Sequence, residues 1–128
     1  KIIIDFLINN KINFKSLIAI SSGASINTKY GWFTYALSKV SLRFLIENYA
    51  LENKKLHFIN YNPGLIETKM QKKLRSIDSK IIPSVKIFKD QYNLNKIQNP
   101  HEASINLFNN LDFLLRQKSG SYIDSRKI

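Results

Sequence analysis

The sequence predicts an α/β fold, a parallel sheet with helices on its faces, and three stretches carry that expectation. Leu17-Ile18-Ala19-Ile20 is a continuous apolar run between polar neighbours, the pattern of a central strand covered on both faces of a parallel sheet. A long helical pattern follows, from about Phe33 to Leu51. Leu56-His57-Phe58-Ile59-Asn60-Tyr61 then reads as a second strand and stops at Asn62-Pro63-Gly64. Proline cannot continue a ladder there, and glycine lets a ligand approach the backbone closely. Strand, helix, strand is the repeating unit of a parallel sheet, and ligands of such sheets sit beyond the carboxyl ends of the strands.

In chain order, Ile2, Ile3, Phe6 and Leu7 fall at helical spacing over residues 1–10, and Asn9-Asn10-Lys11 reads as the helix end. Ser21-Ser22-Gly23-Ala24-Ser25 leaves the first strand at its carboxyl end, and residues 27–32 form a loop. The helix over 33–51 carries Leu37, Val40 and Phe44 on one side and Leu42, Leu45, Ile46 and Tyr49 on the other. Apolar over most of its circumference, it must be buried on two sides. One side packs on the sheet; the other needs either a partner chain or the interior of a monomer. From Lys69 to Lys96 the sequence is basic and interrupted by Pro83, with Met70, Leu74, Ile81, Ile82 and Phe88 suggesting short helices. Asn99-Pro100-His101-Glu102 starts a helix by capping box and first-turn proline. That helix runs to about Arg116 with Leu107, Leu111 and Leu114 inward, and Ser119-Gly120 turns into a last short strand at Tyr122-Ile123. His57 is expected on a strand face and His101 exposed.

Composition narrows the function classes. Across 128 residues, 44% hydrophobic and 12% aromatic side chains supply one core. No run approaches the roughly eighteen apolar residues of a membrane span, and Lys1-Ile2-Ile3-Ile4-Asp5 has no signal-peptide pattern, so the expectation is a cytoplasmic protein that does not engage a membrane. With no cysteine and two scattered histidines, neither a disulfide framework nor a metal site is expected. The formal charge of +11 raises a nucleic-acid partner as a rival. Its lysines are dispersed, however, and only Phe88 and Tyr92 interleave with the basic 69–96 segment, too few for a stacking platform. No nucleic-acid partner is expected.

The chemistry centres on Tyr35 and Lys39. Four apart on a helix, they share one face. A phenol is a poor acid near neutral pH unless a neighbouring cation stabilises its phenolate, which a lysine at this spacing supplies. Ser22, thirteen residues before Tyr35, places a hydroxyl at the mouth of the first strand, where it could hold a carbonyl oxygen against the phenol. Ser22, Tyr35 and Lys39 together read as a proton-delivery site.

Ser22, Tyr35-x-x-x-Lys39 and Asn62-Pro63-Gly64-Leu65-Ile66-Glu67-Thr68 resemble the short-chain dehydrogenase/reductase family. Gly31-Trp32, Ala50-Leu51-Glu52, Thr68-x-Met70-Gln71 and Ser119-Gly120-x-x-x-Asp124 are similar to its sepiapterin reductase branch, and bacterial benzil reductases share much of this pattern. The resemblance implies that residues 1–128 are a partial domain, the carboxyl-terminal half of a Rossmann-like doubly wound parallel sheet with flanking helices. Gly23, Gly31, Gly64 and Gly120 are too far apart to form the family's glycine-rich phosphate turn, so the nucleotide-binding half is absent and the chain by itself is expected to be inactive. The parent protein would be an NADPH-dependent carbonyl reductase, with NADH left open, acting on a small-molecule ketone, either a pterin side chain or a diketone. In that reading Ser22 orients the carbonyl, Tyr35 donates the proton, and Lys39 assists the phenol and bonds the nicotinamide ribose. Pro63, Gly64 and Ile66, with the Thr68 hydroxyl, hold the nicotinamide carboxamide and phosphate, and Asp124 anchors the substrate. The family also implies a homodimer through the helices at 1–10 and 33–51, and a 69–96 insertion that closes over the substrate. A non-catalytic dimerisation partner, or a basic binding module derived from this fold, is the alternative.

Overall fold

The computed structural model describes all residues from Lys1 to Ile128. Helix α1 (Ile2–Asn9) leads to strand β1 (Leu17–Ile20), a 3-10 turn at Gly23–Ser25, helix α2 (Phe33–Glu52) and strand β2 (Phe58–Asn62). Helices α3 (Lys69–Arg75), α4 (Val85–Asn93), α5 (Pro100–Asn109) and α6 (Leu111–Leu115) follow, then strand β3 (Tyr122–Asp124) and a 3-10 turn at Ser125–Lys127. The three strands are parallel in the order β1-β2-β3. Ile18 pairs with Ile59 and Tyr61 with Ile123. The α/β expectation therefore holds.

β2 is the axis of the sheet, buried at every position. Its alternation sends successive side chains to opposite faces. Phe58 joins Ile4, Ala19, Ile46, Tyr49 and Ala50 beneath α1 and α2, with the Tyr49 and Phe58 rings stacked at 5.9 Å. Ile59 and Tyr61 meet Leu114 of α6 on the other face. Burial of an aromatic or branched side chain contributes on the order of 1.5–3 kcal/mol, so these two clusters fix which way the strand faces.

Within this chain β1 pairs with β2 alone, and Ile20 at its end is exposed. Three expectations need correction. β2 begins at Phe58, not Leu56, and runs through Asn62, since its pairing with β3 extends the ladder at Asn62 opposite Asp124. Ile81 and Ile82 lie in the turn between α3 and α4 rather than on a helix. The helix expected to reach Arg116 breaks at Asn110, which ends α5 and precedes α6. Asn110 sits at φ −97° and ψ 7°, off the α-helical region, with its side-chain amide donating back to the Asn106 carbonyl at 2.8 Å. The Asn99 capping box forms as expected, with Glu102 N–H donating to the Asn99 side chain and the Glu102 carboxylate accepting from the Asn99 amide, each at 2.9 Å.

His57 has a definite structural task. Its Nε2 lies 2.8 Å from the Gln117 carbonyl and its Nδ1 2.8 Å from the Ser16 hydroxyl, tying the entries of β1 and β2 to the turn before β3. No helix is long and apolar enough to cross a membrane.

Candidate active site

The carboxyl ends of β1 and β2 open into a cavity of about 340 Å³. Ser22, Tyr35, Lys39, Pro63, Gly64, Ile66 and Thr68 all line it. Each is held by a local device. Tyr35 and Lys39 stand one turn apart near the start of α2, and the Lys39 ammonium donates to the Ile20 carbonyl at 3.0 Å. That bond pins α2 to the last residue of β1 and leaves Nζ 6.0 Å from the Tyr35 ring centre. Ser22 continues β1 in extended conformation, and its hydroxyl accepts from the Ala24 N–H at 3.2 Å, capping the 3-10 turn.

Gly64 sits at φ +82°, a left-handed conformation that a side chain would strain. Asn62 Oδ1 accepts from the Gly64 N–H at 3.2 Å, and Gln98 donates to the Pro63 carbonyl at 2.8 Å. The turn is thus held from both sides while its backbone faces the cavity. Thr68 caps α3, its hydroxyl accepting from the Gln71 N–H at 3.2 Å.

Asp124 is not among the lining residues. Its carboxylate lies behind the cavity wall, accepting from Arg126 Nε at 2.8 Å, from Arg126 Nη2 at 2.5 Å and from Asn62 Nδ2 at 3.1 Å. The Arg126 guanidinium holds the Asp124 carboxyl below the usual carboxylate range, while Asp124 raises Arg126 in return. Arg126 itself lines the cavity, as do Lys29 and Lys39, and no carboxylate does. The charged residues of the lining are thus all cations.

Two lining residues that sequence reasoning left without a role are Trp32 and Phe88. The Trp32 indole N–H donates to the Ser84 hydroxyl at 2.7 Å, its ring packs on Phe88 at 5.2 Å, and it meets Tyr35 edge-on at 5.5 Å. The 82–88 segment thereby hangs on the turn before Tyr35, and Ile82 packs against Gly31. Gly31-Trp32 was visible as a motif, but its partners lie some fifty residues further on and left no local signal. α3 is fastened to α4 by Arg75, which pairs with Glu67 at 2.7 Å and lies over the Tyr92 ring at 4.1 Å.

Comparison with solved structures identifies the architecture. The chain superposes on the KRED1-Pglu enzyme with a TM-score of 0.76 at 21% identity, covering 94% of this chain and 53% of that one. It superposes on a short-chain dehydrogenase/reductase of Saccharomyces cerevisiae with a TM-score of 0.75 at 20% identity, covering 96% and 52%. The chain has the fold of about half of a short-chain dehydrogenase/reductase. Within that class its sequence resembles benzil reductases. It is 27% identical over 90 residues to the (S)-benzoin-forming benzil reductase of Bacillus subtilis, covering 67% of this chain and 37% of the relative. A benzil reductase of Saccharomyces cerevisiae is 34% identical over 62 residues, covering 47% and 24%. No family profile matches the sequence. The chain thus spans about half of the solved structures and little more than a third of the longer-matched relative.

Proposed function

We propose that the full-length protein is a nicotinamide-dependent carbonyl reductase that reduces a ketone with Tyr35 as proton donor. The observation that carries this reading is the convergence of Ser22, Tyr35 and Lys39 with Pro63, Gly64, Ile66 and Thr68 on one cavity. The residues fit a dinucleotide. Lining cations without a carboxylate suit its phosphates, and the bare backbone of the Gly64 turn, with the Thr68 hydroxyl beside it, offers polar groups to a carboxamide. When bound, the nicotinamide supplies the hydride.

The rest is the work of this chain's side chains. Ser22 exchanges its cap on Ala24 for the substrate oxygen, orienting and polarising the carbonyl. Tyr35 delivers its hydroxyl proton to that oxygen as charge develops there. Lys39, anchored on Ile20, keeps a positive charge beside the phenol and offers its remaining donors to the ribose. Trp32 and Phe88 supply an aromatic wall, and the 69–96 segment excludes water by closing over the substrate.

Of the two substrate classes, a diketone is favoured over a pterin. The Asp124 carboxylate is occupied by Arg126 and Asn62, so anchoring a donor-rich ring would first require breaking that pair, and the relatives' names point the same way. NADPH is the proposed donor. We further propose a cytoplasmic homodimer through α1 and α2, whose outward apolar side chains are uncovered in this chain.

The test is steady-state reduction of an aromatic 1,2-diketone by the full-length protein with NADPH and with NADH. A higher kcat/KM with NADPH is expected. No turnover of any diketone, ketone or pterin with either donor would sink the reading, and a faster pterin would reverse the substrate choice.

A further inference from the structure

The sequence motif pointed to Asp124 as the residue at the end of β3 that would meet a ligand, but the cavity wall there is Arg126. Its aliphatic stem lies over the Gly64 turn, with Cδ 3.5 Å from where a Gly64 Cβ would stand. Nε and Nη2 bind Asp124 in a two-pronged pair, and Nη1 has no partner in the chain. The carboxylate is almost fully covered, with its side chain 10% exposed, whereas the Arg126 side chain is 61% exposed. The pair therefore presents its positive member outward and hides its negative one. Asn62 completes the mount, since it binds both Asp124 and the Gly64 N–H. An arginine held in this way is a rigid fork with a donor edge left open, the geometry that matches an oxyanion.

Building on the reductase reading, we propose that Arg126 is a docking residue for an oxyanion of the bound ligand, either a carboxylate carried by the carbonyl compound or a phosphate of the nucleotide. Lys29 and Lys39 line the same cavity and no carboxylate opposes them, so an anion entering it meets one sign of charge. Asp124 and Asn62 act through Arg126 as positioning residues. They fix the plane of the guanidinium, Asp124 from behind the cavity wall and Asn62 from its lining.

Calorimetric titration of the full-length protein tests this without requiring turnover. Wild type and Arg126→Gln are each titrated with an aromatic 2-keto acid, with its methyl ester and with NADP⁺. If the carboxylate is the source, Arg126→Gln weakens the keto acid about tenfold or more, the scale of a lost charge-assisted bond, and leaves the ester unchanged. If the nucleotide phosphate is the source, NADP⁺ weakens by a similar factor and the acid-to-ester ratio stays constant. Either result supports oxyanion docking.

Arg126→Lys keeps the charge and is expected to retain part of the affinity. Asp124→Asn/Arg126→Gln removes the pair together, should the single Gln variant fold poorly. The double variant is expected to show the same selective loss. Unchanged affinity for all three ligands, or equal loss for acid, ester and nucleotide, would reduce Arg126 to a partner for Asp124 and overturn the proposal. Failure of the reductase reading has a different signature: no ketone is turned over, yet the Arg126-dependent difference in binding persists.

Discussion

The two sides of α2 are built from similar residue types and end in opposite environments. On the sheet side Ile46 is fully buried and Tyr49 and Ala50 nearly so, while Tyr35 and Lys39 reach the cavity from the same helix. On the outward side Phe33, Leu37, Val40, Phe44 and Leu51 all stand exposed, Phe44 at 64%. Ile2, Ile3 and Phe6 of α1 are likewise exposed. The chain completes one side by itself, because β1 and β2 supply both apolar cover and a hydrogen-bonding partner for Lys39. The other side has apolar surface without cover, a pattern associated with an interface. One helix thus meets two environments: the core and the cavity inward, and outward an uncovered apolar surface, the side proposed for association.

The strongest way to break that division is to change one side and look for an effect on the other. Tyr35→Phe in the full-length protein should lower kcat for ketone reduction by roughly 10²- to 10⁴-fold, the usual worth of one positioned general acid, without altering the sedimentation coefficient. A variant keeping half the wild-type kcat would show that Tyr35 is not the acid. The converse change is Phe44→Asp. Losing a buried aromatic from a proposed interface forfeits on the order of 1.5–3 kcal/mol, enough to weaken a dimer by about tenfold or more. Analytical ultracentrifugation should show dissociation at concentrations where wild type stays paired, with unchanged nucleotide affinity per folded protomer. Unaltered assembly would mean that α2's outward face is covered by something other than a second copy.

This division also sets what could be read in the sequence. The alternation of strand, helix and strand, the Tyr35–Lys39 spacing and the Asn99 capping box are short-range patterns, and each appears in the structure close to where it was expected. The two-sided apolar character of α2 was equally plain, because it depends only on helical spacing. What could not be read depends on pairs far apart in the chain. Trp32 with Ser84, and His57 with Ser16 and Gln117, are joined only by the fold. Asn110 was missed for a different reason. Leu107, Leu111 and Leu114 keep helical spacing straight across it, so the hydrophobic pattern masked a break at which the Asn110 backbone leaves helical geometry. Arg126 lies only two residues from Asp124, yet its part was hidden because the motif directed attention to the carboxylate.

Acid stability sharpens the cavity side of the comparison. Asp124 has a folded-state carboxyl held below its ordinary range, first by the Arg126 side chain. Its stabilising contribution is therefore fully present above the unfolded value, near 4, and is lost as the pH falls through the lower folded value. Urea midpoints measured from pH 6 down to pH 2 should decline below about pH 4. Asp124→Asn should flatten part of that decline. An identical acid limb in the variant would mean that the pair contributes nothing to folding.

The smallest effect separates cap from ligand contact. Thr68 and Asn99 both begin helices by accepting a backbone N–H with the side chain, at 3.2 and 2.9 Å, so replacing either with alanine should cost about 1 kcal/mol of stability. Their settings differ. Thr68 lines the cavity, whereas Asn99 starts α5 outside it. If the Thr68 hydroxyl also serves the nucleotide, Thr68→Ala should raise KM for NADPH several-fold, while Asn99→Ala leaves it unchanged. The matched loss of stability makes each variant the control for the other, since a general loosening of the fold would move both KM values together. A rise confined to Thr68→Ala assigns its hydroxyl to the cofactor as well as to the cap. Equal KM values in the two variants would leave Thr68 as a helix cap that merely borders the cavity.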